Sequence, residues 1–172
     1  MRTESMNIQD EKRQTIAGSA AFTGHRNLPD SSVERLEATL IETIRTLHDK
    51  GVRTFYCGMA MGFDLMAAEC VVYVRQHYGL ELHLVACVPF PGQERLYSEE
   101  DRFRYRTLLQ AADERIVIAE RFSRYSYLRR NDYMLEHSAT LIACHDPSRP
   151  NGGTAYTVRR AKDMKKDVVN LF

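Results

Sequence analysis

The sequence predicts an α/β protein with a mostly parallel central sheet and helices on both of its faces. Three observations predict it. Short apolar runs alternate with helical-period runs along the whole chain, and parallel strands need crossover helices. The run Leu80 to Val88 is nearly all apolar at its end, as suits a strand covered on both faces. Glycine-rich and polar turns follow the strands, so a parallel sheet gathers them at one edge.

The elements are justified in order. Met1 to Gln14 is polar and without period and reads as a flexible tail. Thr15 to Phe22 is small and apolar and reads as a buried strand, ended by the turn Thr23-Gly24-His25-Arg26. Pro29-Asp30-Ser31 opens a helix, with Ser31 and Glu34 at capping-box spacing. Val33, Leu36, Leu40, Ile44 and Leu47 keep its period, and Gly51 stops it. Val52 to Cys57 is the second strand. Gly58 and Gly62 bracket the turn into a helix that runs to about Tyr78 and is closed by Gly79.

The third strand, Leu80 to Val88, leads into the rigid loop Pro89-Phe90-Pro91-Gly92-Gln93. Ser98 and Asp101 start a helix through Leu108, Leu109 and Ala112. Arg115 to Ala119 is a fourth strand, followed by an Arg- and Tyr-rich loop and a helix near Tyr127 to His137. Ala139 to Cys144 is a fifth strand. After the loop from His145 to Gly153 come a helix from Thr154 to Lys166 and a last strand from Val168 to Phe172. Residues 15–172 thus read as one domain.

Composition excludes some functions. A net charge of +1 offers no global attraction to nucleic acid or anionic membrane, so an anion site has to be local. No apolar run approaches the ~18 residues of a membrane span, and the first residues lack an apolar signal-peptide core. A cytoplasmic protein is expected, with Cys57, Cys70, Cys87 and Cys144 as free thiols. Cys57, Cys87, Cys144 and His145 lack metal-ligand spacing, so neither metal nor cofactor is expected.

On this frame the unusual residues converge at the carboxyl edge of the sheet. Gly24, His25 and Arg26 follow the first strand, and Gly58 to Gly62 the second. Arg130 and Asn131 lie beyond the fourth, and Gly152, Gly153 and Thr154 beyond the fifth. Strand, glycine turn and helix start form a scaffold for an anion, because free amides and the positive end of the helix dipole meet there.

Five segments in order carry a family resemblance: FTGHR, GMAMGFDLMAAE, VPFPGQ, RRNDYML and NGGTAYTVRRA. Together they resemble the YpsA-like branch of the SLOG superfamily, bacterial Rossmann-like proteins, from about Ile16 to Phe172. The wider group is similar to the lysine-decarboxylase-like nucleotide hydrolases and to the DNA-processing protein A fold. The resemblance implies a three-layer Rossmann-like sandwich that binds a nucleotide or nucleotide-derived ligand such as an ADP-ribose-type molecule. The hydrolase relatives carry P-G-G-x-G-T-x-x-E. Here the segment reads Asn151-Gly152-Gly153-Thr154-Ala155-Tyr156-Thr157-Val158, without the third glycine or the glutamate.

Each candidate has a sharp and a bland role. Gly58 and Gly62 allow close approach of a phosphate, or simply a tight turn. Asp64 accepts a ribose hydroxyl, or caps its own helix. Gly152, Gly153 and Thr154 cradle phosphate, or Thr154 alone caps a helix. Arg26 and Arg130 are suited to phosphate because a guanidinium binds two oxygens at once. Asn131 reads a base or ribose, or holds the loop. His25 is a proton donor, a stacking surface or a structural residue, and Tyr125 and Tyr127 are bases' stacking partners or packing residues. Glu69 is the lone acid available if hydrolysis occurs.

The expected function is therefore binding or sensing of a nucleotide-derived small molecule at the sheet's carboxyl edge. The alternatives are hydrolysis of an N-glycosidic or phosphate-linked nucleotide bond, and single-stranded DNA binding by analogy of fold. Neither membrane nor nucleic acid is an expected partner. Homo-oligomers are common in such folds, and no residue here dictates one.

Overall fold

Six strands form one sheet in the computed structural model, which describes residues 8–172. They are β1 (Ser19–Gly24), β2 (Thr54–Cys57), β3 (His83–Val88), β4 (Glu114–Val117), β5 (Thr140–Cys144) and β6 (Asp167–Asn170). The order is β4-β3-β2-β1-β5-β6, and every pairing is parallel. The helices are α1 (Ile8–Ala17), α2 (Val33–Asp49), α3 (Phe63–Tyr78), α4 (Glu99–Ala111), α5 (Ser126–Glu136) and α6 (Gly153–Asp163). The architecture is Rossmann-like.

Strand alternation divides the core into two layers. Ala20, Phe22, Phe55, Cys57, Leu84, Ala86, Ile142 and Cys144 face the apolar sides of α2, α3 and α4. Their neighbours Ala21, Tyr56, Val85, Cys87, Leu141 and Ala143 face α5 and α6. Successive side chains of a strand point to opposite faces, so continuous apolar runs are what this double coverage demands. All four cysteines are buried free thiols within it.

The start of the chain differs from expectation. Residues 1–7 of the anticipated tail lie outside the described residues. From Ile8 to Ala17 the chain is helical, and Thr15 to Ala17 are its last turn rather than the beginning of β1. The run Gln9 to Gln14 contains only helix-tolerant polar residues with neither Gly nor Pro. Thr15 Oγ1 donates to Glu11 O (2.9 Å), and the Gly18 amide to Gln14 O (3.0 Å), closing the helix. The capping box at Ser31 is absent. Asp30–Ser32 forms a 3₁₀ turn that moves the start of α2 to Val33, and the Ser32 hydroxyl bonds back to Pro29 O. The expected cap on α4 is present, Ser98 Oγ accepting from the Asp101 amide at 3.1 Å. The strands β4 and β6 end two residues earlier than anticipated.

From β1 the chain moves outward through β2, β3 and β4, then returns to β5 on the other side of β1. The strand order thus reverses between β1 and β5, and a crevice opens above their carboxyl ends. Among the described residues, no helix is long and apolar enough to cross a membrane.

Candidate functional site

β1 delivers Gly24, His25 and Arg26 to the crevice, and α3 is clamped onto that turn. A Cβ at Gly24 would collide with the Phe63 ring, and one at Gly62 with the Arg26 carbonyl. Gly62 also sits at φ +75°, a conformation glycine adopts without penalty. The Phe63 amide donates to His25 O (3.2 Å), so the first turn of α3 gives an amide to the protein itself. The Gly62 end of the turn is therefore required by packing. The part of this stretch that faces the crevice is Ala60 and Asp64.

Gly58 serves a different neighbour. A Cβ there would stand 2.7 Å from Arg130 Cζ and 2.8 Å from Asp64 Oδ2. Its absence lets the guanidinium lie on the backbone, where Arg130 Nη1 donates to Gly58 O. The same carbonyl accepts from Gln93 Nε2 at 3.0 Å, and the adjoining Met59 carbonyl accepts from the Tyr97 hydroxyl at 3.0 Å. The turn after β2 is thereby held from the loop after β3.

Arg130 is buried on α5 with an ordered surround. Its Nε donates to Asn131 Oδ1 (2.7 Å), Asn131 Nδ2 to Thr157 Oγ1 (2.9 Å), and Thr157 Oγ1 to Gly153 O (2.8 Å). This relay fixes the guanidinium relative to the start of α6, and it occupies both ends of the Asn131 amide. Arg130 Nη2 makes no hydrogen bond among the described residues. Arg26 makes neither a hydrogen bond nor an ion pair among them. Both guanidiniums approach the ring of Tyr127, with Cζ at 5.2 Å (Arg26) and 5.8 Å (Arg130) from its centroid.

Asp64 is the buried carboxylate of the site, accepting from the Ala60 amide at 3.3 Å. Burial pushes its pKa up to about 6, while Arg130, the Ala60 amide and Arg26 hold it lower than burial alone would. His25 is kept neutral. Its Nε2 accepts from the Asp146 amide (3.0 Å), which puts the ring proton on Nδ1. Burial and the nearby Arg149 and His145 depress its pKa against the raising effect of Asp146.

At α6 the glycines face open space. A Cβ at Gly152 or Gly153 would meet nothing within 4 Å, and no side chain caps the helix. The amides of Gly153, Thr154 and Ala155 find no acceptor among the described residues. Free amides at the start of a helix concentrate positive potential.

One cavity of about 270 Å³ gathers these groups. Gly24, His25, Arg26, Asp64, Tyr127, Arg130, Asn131, Gly153 and Thr154 line it. Gly58 and Gly62 stand behind its wall, and Gly152 immediately precedes the α6 rim. Glu69 lies apart: both its oxygens are taken by Arg104, at 2.7 and 2.8 Å, and it does not line the cavity. Tyr125 is exposed and also outside the lining. Among the described residues no group of three or more His, Cys, Asp or Glu side chains is placed to hold a metal ion.

Sequence reasoning missed the supports Gln93 and Tyr97. Gln93 lay within a rigid loop whose partner, Gly58, is distant in sequence. Tyr127, expected as a stacking or packing residue, instead lies against both guanidiniums, a contact its spacing one helical turn before Arg130 could have signalled.

The fold and its sequence have known relatives. The SPbeta prophage-derived protein YoqJ of Bacillus subtilis is 28% identical over 141 residues, 74% of this chain and 81% of that protein. A UPF0398 protein of Halalkalibacterium halodurans is 31% identical over 127 residues, 73% of this chain and 66% of that relative. The chain thus spans just under two thirds of the latter's length. DNA processing protein A from Helicobacter pylori, solved in a study of its single-stranded DNA binding mode, superposes with a TM-score of 0.59 at 18% identity, over 92% of this chain and 66% of that one. That likeness is one of fold. Residues 21–170 match the family model described as the YspA SLOG family, and with most of its length so matched the chain belongs to the YpsA SLOG family.

Proposed function

We propose that the cavity above β1 and β5 binds the phosphate-bearing part of a nucleotide-derived small molecule of the ADP-ribose type, and that the protein acts as a binding or sensing module in the cytoplasm. One observation carries the reading: two guanidiniums, neither in an ion pair among the described residues and with only the Asp64 carboxylate between them in the lining, face the open amides of α6 across a single cavity. Burying Arg130 costs several kcal/mol unless an anion and hydrogen bonds offset it. Asp64 is the one carboxylate lining the cavity, and it faces two arginines. At neutral pH the lining therefore carries net positive charge, which an anion completes. A phosphate about 4 Å from a guanidinium gains on the order of 4 kcal/mol at an effective dielectric near 20.

The hydrolase reading keeps one supporting observation, a cavity carboxylate whose pKa of about 6 is suited to acid–base work. That carboxylate is Asp64, and it lies beneath Arg130 rather than beside an oriented nucleophile. Single-stranded DNA binding rests on likeness of fold to DNA processing protein A, and a net charge of +1 opposes it.

Titration calorimetry with ADP-ribose, inorganic pyrophosphate and adenosine separates the readings. Binding by the two phosphate-bearing probes, absent for adenosine and weakened about tenfold or more in Arg26→Ala, is the expected result. Equal binding of adenosine would remove the phosphate from the account. Chromatography of the same mixtures detects free base, whose appearance would favour the hydrolase.

A further inference from the structure

A second and larger cleft, of about 700 Å³, lies on the α2 side of the same sheet edge. Its walls come from the segment after β1, from α2, and from the carboxyl ends of β5 and β6. It shares one residue with the phosphate cavity, His25. The turn after β1 is thus a partition, with the arginine cavity on one side and this cleft on the other.

The cleft has the makeup of a small-molecule compartment. The nearly buried Leu36 and Cys144 and the partly buried Leu171, at the margin of the α2, α3 and α4 layer of the core, give it an apolar floor. Around that floor stand hydrogen-bonding side chains with no partner among the described residues: those of Asn27, Ser31 and Arg35. A mostly apolar pocket of several hundred Å³ with a few convergent polar groups is the usual form of a ligand site. At the partition, His25 presents its Nδ1–H, since its Nε2 already accepts from the Asp146 amide. The location adds a topological reason. The two compartments flank β1, where the strand order reverses, and open α/β sheets hold two-part nucleotides across such a point.

We propose that the cleft receives the nucleoside of a ligand whose pyrophosphate occupies the arginine cavity, so that a pyrophosphate esterified to a nucleoside lies over the β1 turn and across His25. The base rests on Leu36 and Leu171, and Asn27, Ser31 and Arg35 meet the polar edges of base and ribose. The inference rests on the phosphate reading of the first cavity and deepens it, by fixing the ligand as one of dinucleotide size rather than a free phosphate.

Two variants on the exposed wall test it without touching the arginine cavity. Thr39 lines the cleft from an exposed position on α2, so Thr39→Trp fills it. Asn27→Ala removes a polar contact with little risk to folding, because Asn27 is exposed and makes no hydrogen bond among the described residues. Calorimetry uses inorganic pyrophosphate and ADP-ribose as probes. The expected result is that the wild type holds ADP-ribose at least about tenfold more tightly than pyrophosphate, that Thr39→Trp removes that advantage, that Asn27→Ala reduces it severalfold, and that both variants hold pyrophosphate as the wild type does. If pyrophosphate binds but ADP-ribose gains nothing, or both variants keep full ADP-ribose affinity, the cleft inference falls while the phosphate reading stands. If neither probe binds the wild type, both fall. If Thr39→Trp also loses pyrophosphate, Asn27→Ala decides.

Discussion

The guanidinium of Arg130 lies directly on the backbone of Gly58, donating from Nη1 to its carbonyl, at a point where a Cβ would stand 2.7 Å from Cζ. A residue in the turn after β2 thus seats a cation from α5, and the seat sets where positive charge stands in the crevice. Gly58→Ala tests this contact. The added methyl would also stand 2.8 Å from Asp64 Oδ2, so Arg130 and Asp64 have to shift. Overpacking of this kind costs about 1–3 kcal/mol, to be read by urea unfolding, and ADP-ribose affinity should fall by about tenfold or more. Unchanged affinity at reduced stability would show that the seat does not position the ligand's charge partner.

Arg130 and Asp64 compensate each other in a buried setting. Arg130→Met removes the largest favourable influence on the Asp64 carboxylate and should raise its pKa beyond about 6. Loss of a buried charge partner costs about 3–5 kcal/mol when the remaining charge cannot escape, and protonation of Asp64 limits it here to the lower end. Adding Asp64→Asn to Arg130→Met should recover part of that loss. A double-mutant cycle of unfolding free energies at pH 7.5 measures the coupling, and strict additivity would mean that the two groups do not interact.

The pH dependence follows from the same carboxyl. Asp64 titrates near 6 in the folded state against 3.8 for the free group, so the folded state holds the extra proton between these values. Stability from this group is therefore greatest at low pH and falls as pH rises from about 4 to about 6, by about 3 kcal/mol at most. The wild type should lose ground to Asp64→Asn across that window and run parallel to it above pH 7. ADP-ribose, whose phosphates are both esterified, keeps its charge between pH 6 and 8. Its affinity should rise as pH falls from 8 to 6, because an anion in the cavity favours protonated Asp64, and the slope should be shallower in Asp64→Asn. Parallel slopes in variant and wild type would assign the proton to another group, such as His25.

Glu69→Gln should leave ligand binding untouched. The carboxylate is partly exposed, at 42% of its side chain, and each of its oxygens accepts a hydrogen bond from Arg104. Loss of an exposed pair of this kind costs up to about 1 kcal/mol, visible as a small shift in the urea midpoint. A variant that lost ADP-ribose binding, or a base-releasing activity that vanished with it, would return Glu69 to the site.

The sheet and the loop cluster were legible because both are written locally. Apolar runs such as Leu80 to Val88 mark strands, and parallel strands bring every following turn to one edge. Arg130, Asp64, Gly153 and Thr154 met in one cavity for that reason. What stayed hidden depends on partners far apart in sequence. Gln93 reaches Gly58 and Arg104 reaches Glu69 through tertiary packing, which no periodicity reveals. Asn131 was open to a ligand-reading role, and only its contacts to Arg130 and Thr157 show it aligning the cation with α6. The helix α1 escaped because it buries no residue and so lacks an apolar stripe.

A crystal structure of the protein soaked with ADP-ribose tests the central claim most directly. The predicted result is pyrophosphate density within hydrogen-bonding distance of Arg130 Nη2 and the Gly153 or Thr154 amide, with Arg26 closing over it. Pyrophosphate bound away from both Arg130 and the start of α6, or an empty cavity at saturating ligand, would contradict it.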